Sequence, residues 1–157
     1  LANQGQGMIY SMNFGNGGTS VDPTGIITYL SPNSTGTNAS LYNQTYTKVI
    51  DDNSINNTDP TRNKIETRHV SGTNYTDIIA TCLLDYGEPS GQDALDNATS
   101  SDSLYVFDEL GLVSYATSGT GRLLTHVIFH PVQKSLNRLI QIDYTVRVQS
   151  LTGFNEA

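Results

Sequence analysis

The residues of this chain whose types could do chemistry are three histidines, one cysteine, a few hydroxyls beside glycines, and several adjacent carboxylates. His126 and His130 lie four apart in a stretch, Arg122 to His130, that reads as extended. At ~3.3 Å per residue they share a face but stand about 13 Å apart, too far to hold one metal. A zinc or iron centre would need His69 or a carboxylate brought in to complete its ligand set, and no spacing marks such a partner. The pattern predicts imidazoles that hydrogen-bond within or beside a sheet, or face a neighbouring subunit where their charge follows pH.

The remaining candidates fail one by one. Cys82 sits among Ile78, Ile79, Leu83 and Leu84 with no adjacent base or cation, and is expected to be a buried, inert thiol. Ser118 in Thr117-Ser118-Gly119 lacks the G-x-S-x-G setting of an exposed nucleophile. Phe14-Gly15-Asn16-Gly17-Gly18-Thr19 has no following lysine and opens no helix, so it is expected to be a turn needing positive φ rather than a phosphate loop. Asp51-Asp52-Asn53 and Asp59 miss the central glycine and closing glutamate of a calcium loop and read as a solvated acidic loop. Asp108 and Glu109 are neighbours and would point to opposite faces of a strand, a poor arrangement for acid and base work on one substrate. N-x-S/T triplets at Asn33, Asn38, Asn43, Asn56, Asn74 and Asn97 follow from a composition rich in Asn, Ser and Thr. The expectation is a non-enzymatic protein with no catalytic, cofactor-binding or metal site.

The elements that would position these residues are strands. The chain has 157 residues, 36% of them hydrophobic, a length that suits one domain with a core of its own and needs no disulfide or structural metal. A net charge of -7, with eight scattered Lys and Arg, argues against a nucleic-acid partner. No apolar run approaches the ~20 residues of a membrane helix, and Leu1 to Gly7 does not form a signal sequence, so a soluble protein without a membrane partner is expected.

Residues 1–40, rich in Gly, Asn and Ser, read as an extended arm carrying one or two short strands at Met8 to Met12 and Ile26 to Leu30. Tyr42 to Ile50 and Ile65 to Val70 read as extended, with Asp51 to Pro60 a loop between them; Asp77 to Tyr86 is apolar but too short and β-branched for a firm helix, and Gly87 to Ser103 is turn-rich. The plainest strand is Ile140 to Gln149, where apolar and polar residues alternate without a break. Arg122 to His130 precedes it, ended by Pro131, and the short connector Val132 to Asn137 predicts that these two strands pair directly as a central hairpin. The expected fold is mostly β: a single antiparallel β-sandwich-like domain spanning 1–157, with long loops and an extended N-terminal arm.

The order of the C-terminal segments carries a resemblance. Phe107-Asp108-Glu109-Leu110-Gly111-Leu112, then Gly121 to Pro131, then Lys134 and the long alternating strand, with Met12-Asn13-Phe14-Gly15-Asn16-Gly17-Gly18 upstream, resemble the attachment and collar domains of tailed-bacteriophage tail-fibre and neck or baseplate proteins. In that pattern Glu109 to Leu112 forms a turn and the segment after Gly121 a strand. The resemblance implies a virion structural protein that docks other virion proteins (portal or neck, baseplate, fibre or capsid), usually as a homo-oligomer. A Gly-rich arm of low propensity orders on a neighbour, so removing residues 1–20 is expected to abolish incorporation but leave the domain folded. The chain departs from complete fibres in having no heptads or repeats to build a shaft. A capsid decoration protein, or a carbohydrate-binding module lacking tryptophan for stacking, are the alternatives.

Overall fold

Between its clusters of Asn, Asp, Gly and Pro the chain is rich in Val, Ile, Thr and Tyr, residues that suit a pleated, half-buried surface, and among the described residues these stretches form nine strands. The structure, a computed structural model, describes residues 8–32, 40–89, 104–116, 121–135 and 137–150. The strands are β1 (Ile9–Gly15), β2 (Thr19–Val21), β3 (Ile27–Tyr29), β4 (Gln44–Val49), β5 (Lys64–His69), β6 (Tyr75–Leu84), β7 (Leu104–Ser114), β8 (Val127–Ser135) and β9 (Ile140–Gln149). No helix occurs among the described residues. One sheet has the order β4-β1-β7-β8, a second the order β5-β6-β9, and β2 and β3 form a separate hairpin, every pairing being antiparallel.

The two larger sheets face each other across one core. Met12, Phe14, Tyr105, Phe107, Leu110 and Leu112 from the first meet Ile78, Ala80, Cys82 and Leu84 from the second, with Phe129, Ile142, Tyr144 and Val146 packed at the margins. Phe107 makes edge contacts with Phe14 and Phe129 and stacks on Tyr105, so aromatic rings fill the middle of the sandwich. A mostly β, antiparallel, sandwich-like domain is what the alternation and turn chemistry predicted.

Five expectations are corrected. Residues 9–15 are not part of an arm: β1 lies inside the first sheet, Met12 beside Lys48 of β4 and Leu112 of β7, and it is covered on both faces, so the chain without residues 1–20 loses a central strand. Residues 1–7 and 33–39 lie outside the described residues. Glu109 to Leu112 is no turn but the middle of β7, and Gly111 is there because a Cβ would run into the Thr125 carbonyl and lie 2.5 Å from Leu123 Cδ1. The segment after Gly121 makes only a single bridge, Val113 with Leu123, before β8 begins at Val127. Pro131 does not end β8. It sits in an edge strand, where β8 slips register against β7 between Phe107 and Glu109, and no ladder partner is lost there.

The fifth correction concerns pairing. β8 and β9 do not form a hairpin; β8 pairs with β7 in one sheet and β9 with β6 in the other. The connector therefore crosses between the layers, so Phe129 and Val132 meet the core from one side, and Ile142, Tyr144 and Val146 from the other. Alternation marks which face of a strand is apolar but leaves its neighbour open.

Candidate functional site

Asp108 and Glu109 are consecutive, and both are buried, at 3% and 0% relative exposure. In a regular strand their side chains would diverge, but the register slip at Asp108 lets both carboxylates reach the same segment, the glycine run of residues 15–19. Asp108 accepts hydrogen bonds from Gly18 N–H (2.8 Å), Thr19 N–H (3.0 Å) and the Thr19 hydroxyl (2.5 Å). Glu109 accepts from Gly17 N–H (3.0 Å), Tyr42 N–H (2.9 Å) and Asn43 N–H (2.9 Å), and its Oε1 lies 2.7 Å from His126 Nε2. His126 is itself buried and stacks at a tilt on Tyr42, 5.4 Å between centroids.

The glycines answer to this knot. Positive φ belongs to Gly25, Gly72 and Gly87, not to the 15–18 run, which corrects the turn expected there. Close approach is what requires glycine: a Cβ on Gly15 would lie 2.7 Å from Glu109 Oε2, and one on Gly17 would lie 2.8 Å from Tyr42 Cβ. With its oxygens spread over seven donors, the carboxylate pair holds backbone together.

A hairpin leaves the body from this clamp. Thr19 pairs with Tyr29 and Val21 with Ile27, and the ladder extends outward through Leu30 N–H to Gly18 O and Asp22 N–H to Ile26 O. Its turn is fixed by Asp22, whose carboxylate accepts from Thr24 N–H, the Thr24 hydroxyl and Ile26 N–H; the Thr24 hydroxyl is the chief cause of its lowered pKa. Gly25, at φ +89°, closes the turn. Val21 (64% exposed), Ile26 (63%), Tyr29 (50%) and Leu30 (43%) are left in solvent, with Val21 and Tyr29 on one face and Ile26 and Leu30 on the other.

A second polar cluster joins the sheets. The Lys134 side chain is buried, and its ammonium donates to three main-chain carbonyls, Asp85 O (3.0 Å), Glu88 O (2.8 Å) and Ser135 O (2.9 Å). Burial lowers its pKa from the ordinary 10.5. Beside it the Glu88 carboxylate pairs with Lys48 Nζ and accepts from Asp85 N–H (2.9 Å) and the Tyr46 hydroxyl (3.2 Å). Desolvation would raise its pKa, but these partners, Lys48 foremost, together hold it below the ordinary 4.5.

No family model matches the chain, and no curated protein or solved structure matches it either.

The other expected chemistry disperses. His130 is exposed against the Pro131 carbonyl, and His69 Nδ1 lies 2.9 Å from Tyr75 O, so the three imidazoles serve three separate places. Among the described residues no three His, Cys, Asp or Glu side chains gather as a metal-binding group. Cys82 is buried and its thiol is pushed up to about 12 by burial, which suits the inert thiol read from its neighbours. Asp51 and Asp59 serve their own loop, accepting from Asn53 N–H and from Thr61 and Arg62. Ser118, Asn33, Asn38 and Asn97 lie outside the described residues.

Two hollows open on the second sheet. One of about 560 Å³ is lined by His69, Thr73, Asn74, Tyr75 and Val148. The other, of about 480 Å³, lies over the polar outer face between Arg62, Glu66, Arg68, Thr81 and Asp143. Residue-by-residue reading missed the roles of Glu109, His126 and Lys134. The available signal was a pair of carboxylates inside an apolar run, Phe107 to Leu112, since buried charges require donors.

Proposed function

We propose that this chain is a non-enzymatic structural component of a tailed-phage virion, an adaptor or attachment piece of the neck, baseplate or tail-fibre collar that works through contacts with other virion proteins. The observation that carries the reading is the hairpin of β2 and β3: a short tongue, apolar on both faces, held at its base by the Asp108 carboxylate. An exposed apolar element this small gains nothing for the isolated domain, whereas a partner groove would bury both its faces at once. The most buried carboxylates and the buried lysine all hold backbone in place, which suits a scaffold whose work is done at interfaces. The phage setting rests on the order of the Met12 to Gly18, Phe107 to Leu112, Gly121 to Pro131 and Lys134 segments.

The test is the copy number of the chain per purified particle, by quantitative mass spectrometry against the major capsid protein. Roughly six to eighteen copies fit a ring of closed cyclic symmetry, hundreds fit the alternative of a capsid decoration protein, and absence ends the virion reading. A variant carrying Val21→Ser, Ile26→Ser and Tyr29→Ser is expected to fold and yet to be missing from particles. The polar hollow between Arg62 and Asp143 is what favours the carbohydrate-binding alternative, and saturable heat on titration with neutral or uronic oligosaccharides would bring it forward.

A further inference from the structure

Sheets expose two edges, and an edge left unprotected is a template for another strand. Three of the four edges of the sandwich are blunted: β4 and β5 have six residues each, and β8 carries Pro131 and a register slip. The fourth, β9, is ten residues long, contains no proline, and pairs with β6 from Tyr75↔Gln149 to Leu84↔Ile140 without a bulge. Its other edge pairs with no described strand.

The direction of its main-chain groups follows from one bond. Ser150 N–H donates to the Asn74 carbonyl at 2.8 Å, one step beyond the Tyr75↔Gln149 pair. Hydrogen-bonded pairs alternate in an antiparallel ladder, so the even-numbered residues of β9 bond to β6. Gln141, Asp143, Thr145, Arg147 and Gln149 therefore turn their N–H and C=O groups to the open edge, and their exposed side chains stand on the outer face.

We infer that β9 pairs with β9 of a second copy of this chain, antiparallel about a two-fold axis at Thr145, joining two three-stranded sheets into one of six strands. Charge complementarity selects this register. With the axis at Thr145, Asp143 faces Arg147 of the second copy and Arg147 faces its Asp143, Gln141 faces Gln149, and Thr145 faces itself. Moving the axis by one residue either way separates the charges, and moving it by two sets Asp143 against Asp143 or Arg147 against Arg147.

The match continues along the rung. Within one chain Arg68 lies opposite Asp77 and Asp77 opposite Arg147, the last two joined at 2.8 and 3.1 Å, with the Arg147 guanidinium 3.8 Å from the centre of the Tyr75 ring. Asp143 of the second copy extends this alternation of sign, followed by its Thr81 and Lys64. On the inner face Ile142 meets Val148 and Tyr144 meets Val146, giving the exposed Val148 an apolar neighbour. The inference does not depend on the virion reading, since it uses only the strand, its register and its charges.

The experiment is sedimentation of the purified full chain together with cysteine cross-linking, for which the buried Cys82 leaves a clean background. The expected result is a species of twice the 17.0 kDa chain mass. Thr145→Cys should give a disulfide-linked dimer on mild oxidation, because facing residues of such a pair have Cα atoms about 5.5 Å apart. Gln141→Cys, several residues from the axis, should not. Asp143→Arg, an exposed change that leaves the fold intact, should weaken dimerisation at least tenfold by facing Arg147 of the second copy. A chain that stays monomeric at high concentration overturns the inference, as does a dimer in which Gln141→Cys links as readily as Thr145→Cys or which Asp143→Arg leaves unchanged.

Discussion

Glu109 accepts from three main-chain N–H groups drawn from two loops and also engages His126, so its carboxylate is the point where residues 17, 42, 43 and 126 are tied to β7. Glu109→Gln keeps the shape but replaces one acceptor oxygen with an NH2 that must face donors, in a fully buried site. The expected cost is about 1–3 kcal/mol in urea unfolding, and a variant as stable as the parent would show that the knot is slack. Glu88 gives a pH dependence of known sign. Its folded pKa lies below the ordinary 4.5, so its contribution to stability is complete above that value and is lost as pH falls through the depressed one. The stability difference between the parent and Glu88→Gln is accordingly expected to shrink as the pH is taken down through and below the ordinary 4.5. Lys134 acts with the same sign in a more alkaline window: its pKa is lowered from 10.5, the unfolded chain holds the extra proton there, and stability rises with pH.

At the scale of elements, β1 carries the sharpest expectation. It sits between β4 and β7 with Met12 and Phe14 in the core, so a chain lacking residues 1–20 is expected to lose its cooperative unfolding transition; retention of that transition, followed by circular dichroism, would mean that β1 is dispensable. Tyr10, Met12 and Phe14 alternate with Ser11, Asn13 and Gly15, a short pattern that implies one face in water; the sequence hid that the polar face is buried too, its side chains bonding to one another. Here the Ser11 hydroxyl donates to Asn13 Oδ1 and Asn13 Nδ2 to Gln44 Oε1. β9 was legible for the contrary reason, with one face in water and one on the core. The Asp108 and Glu109 site was illegible because it depends on a register slip against a strand some twenty residues away, and a slip changes which way side chains point without changing any residue type. Cys82 was legible because its surroundings are local in the chain.

For the whole molecule, the layering explains why loops contribute so much to it. The first sheet is covered by the core on one side and by the 40–43 and 121–126 segments on the other, where Leu41, Val113 and Leu123 form a small apolar cluster of their own. Among the described residues the second sheet is covered on one side, and it turns Arg62, Lys64, Arg68 and Arg147, half of the chain's eight basic residues, away from the core. An acidic protein thus concentrates its cations on one face. The crossing between β8 and β9 has a consequence in time as well as in space. Met12 finds Leu112, and Tyr75 finds Gln149, across long stretches of chain, a topology of high contact order that folds on the order of milliseconds to seconds. β6 supplies Ile78, Ala80, Cys82 and Leu84 to the core but gains its second neighbour only from residues 140–149. During synthesis, nascent chains stalled before residue 140 are expected to expose that apolar strand and to be captured by chaperones, whereas chains stalled with β9 clear of the ribosome should be released from them and resist protease.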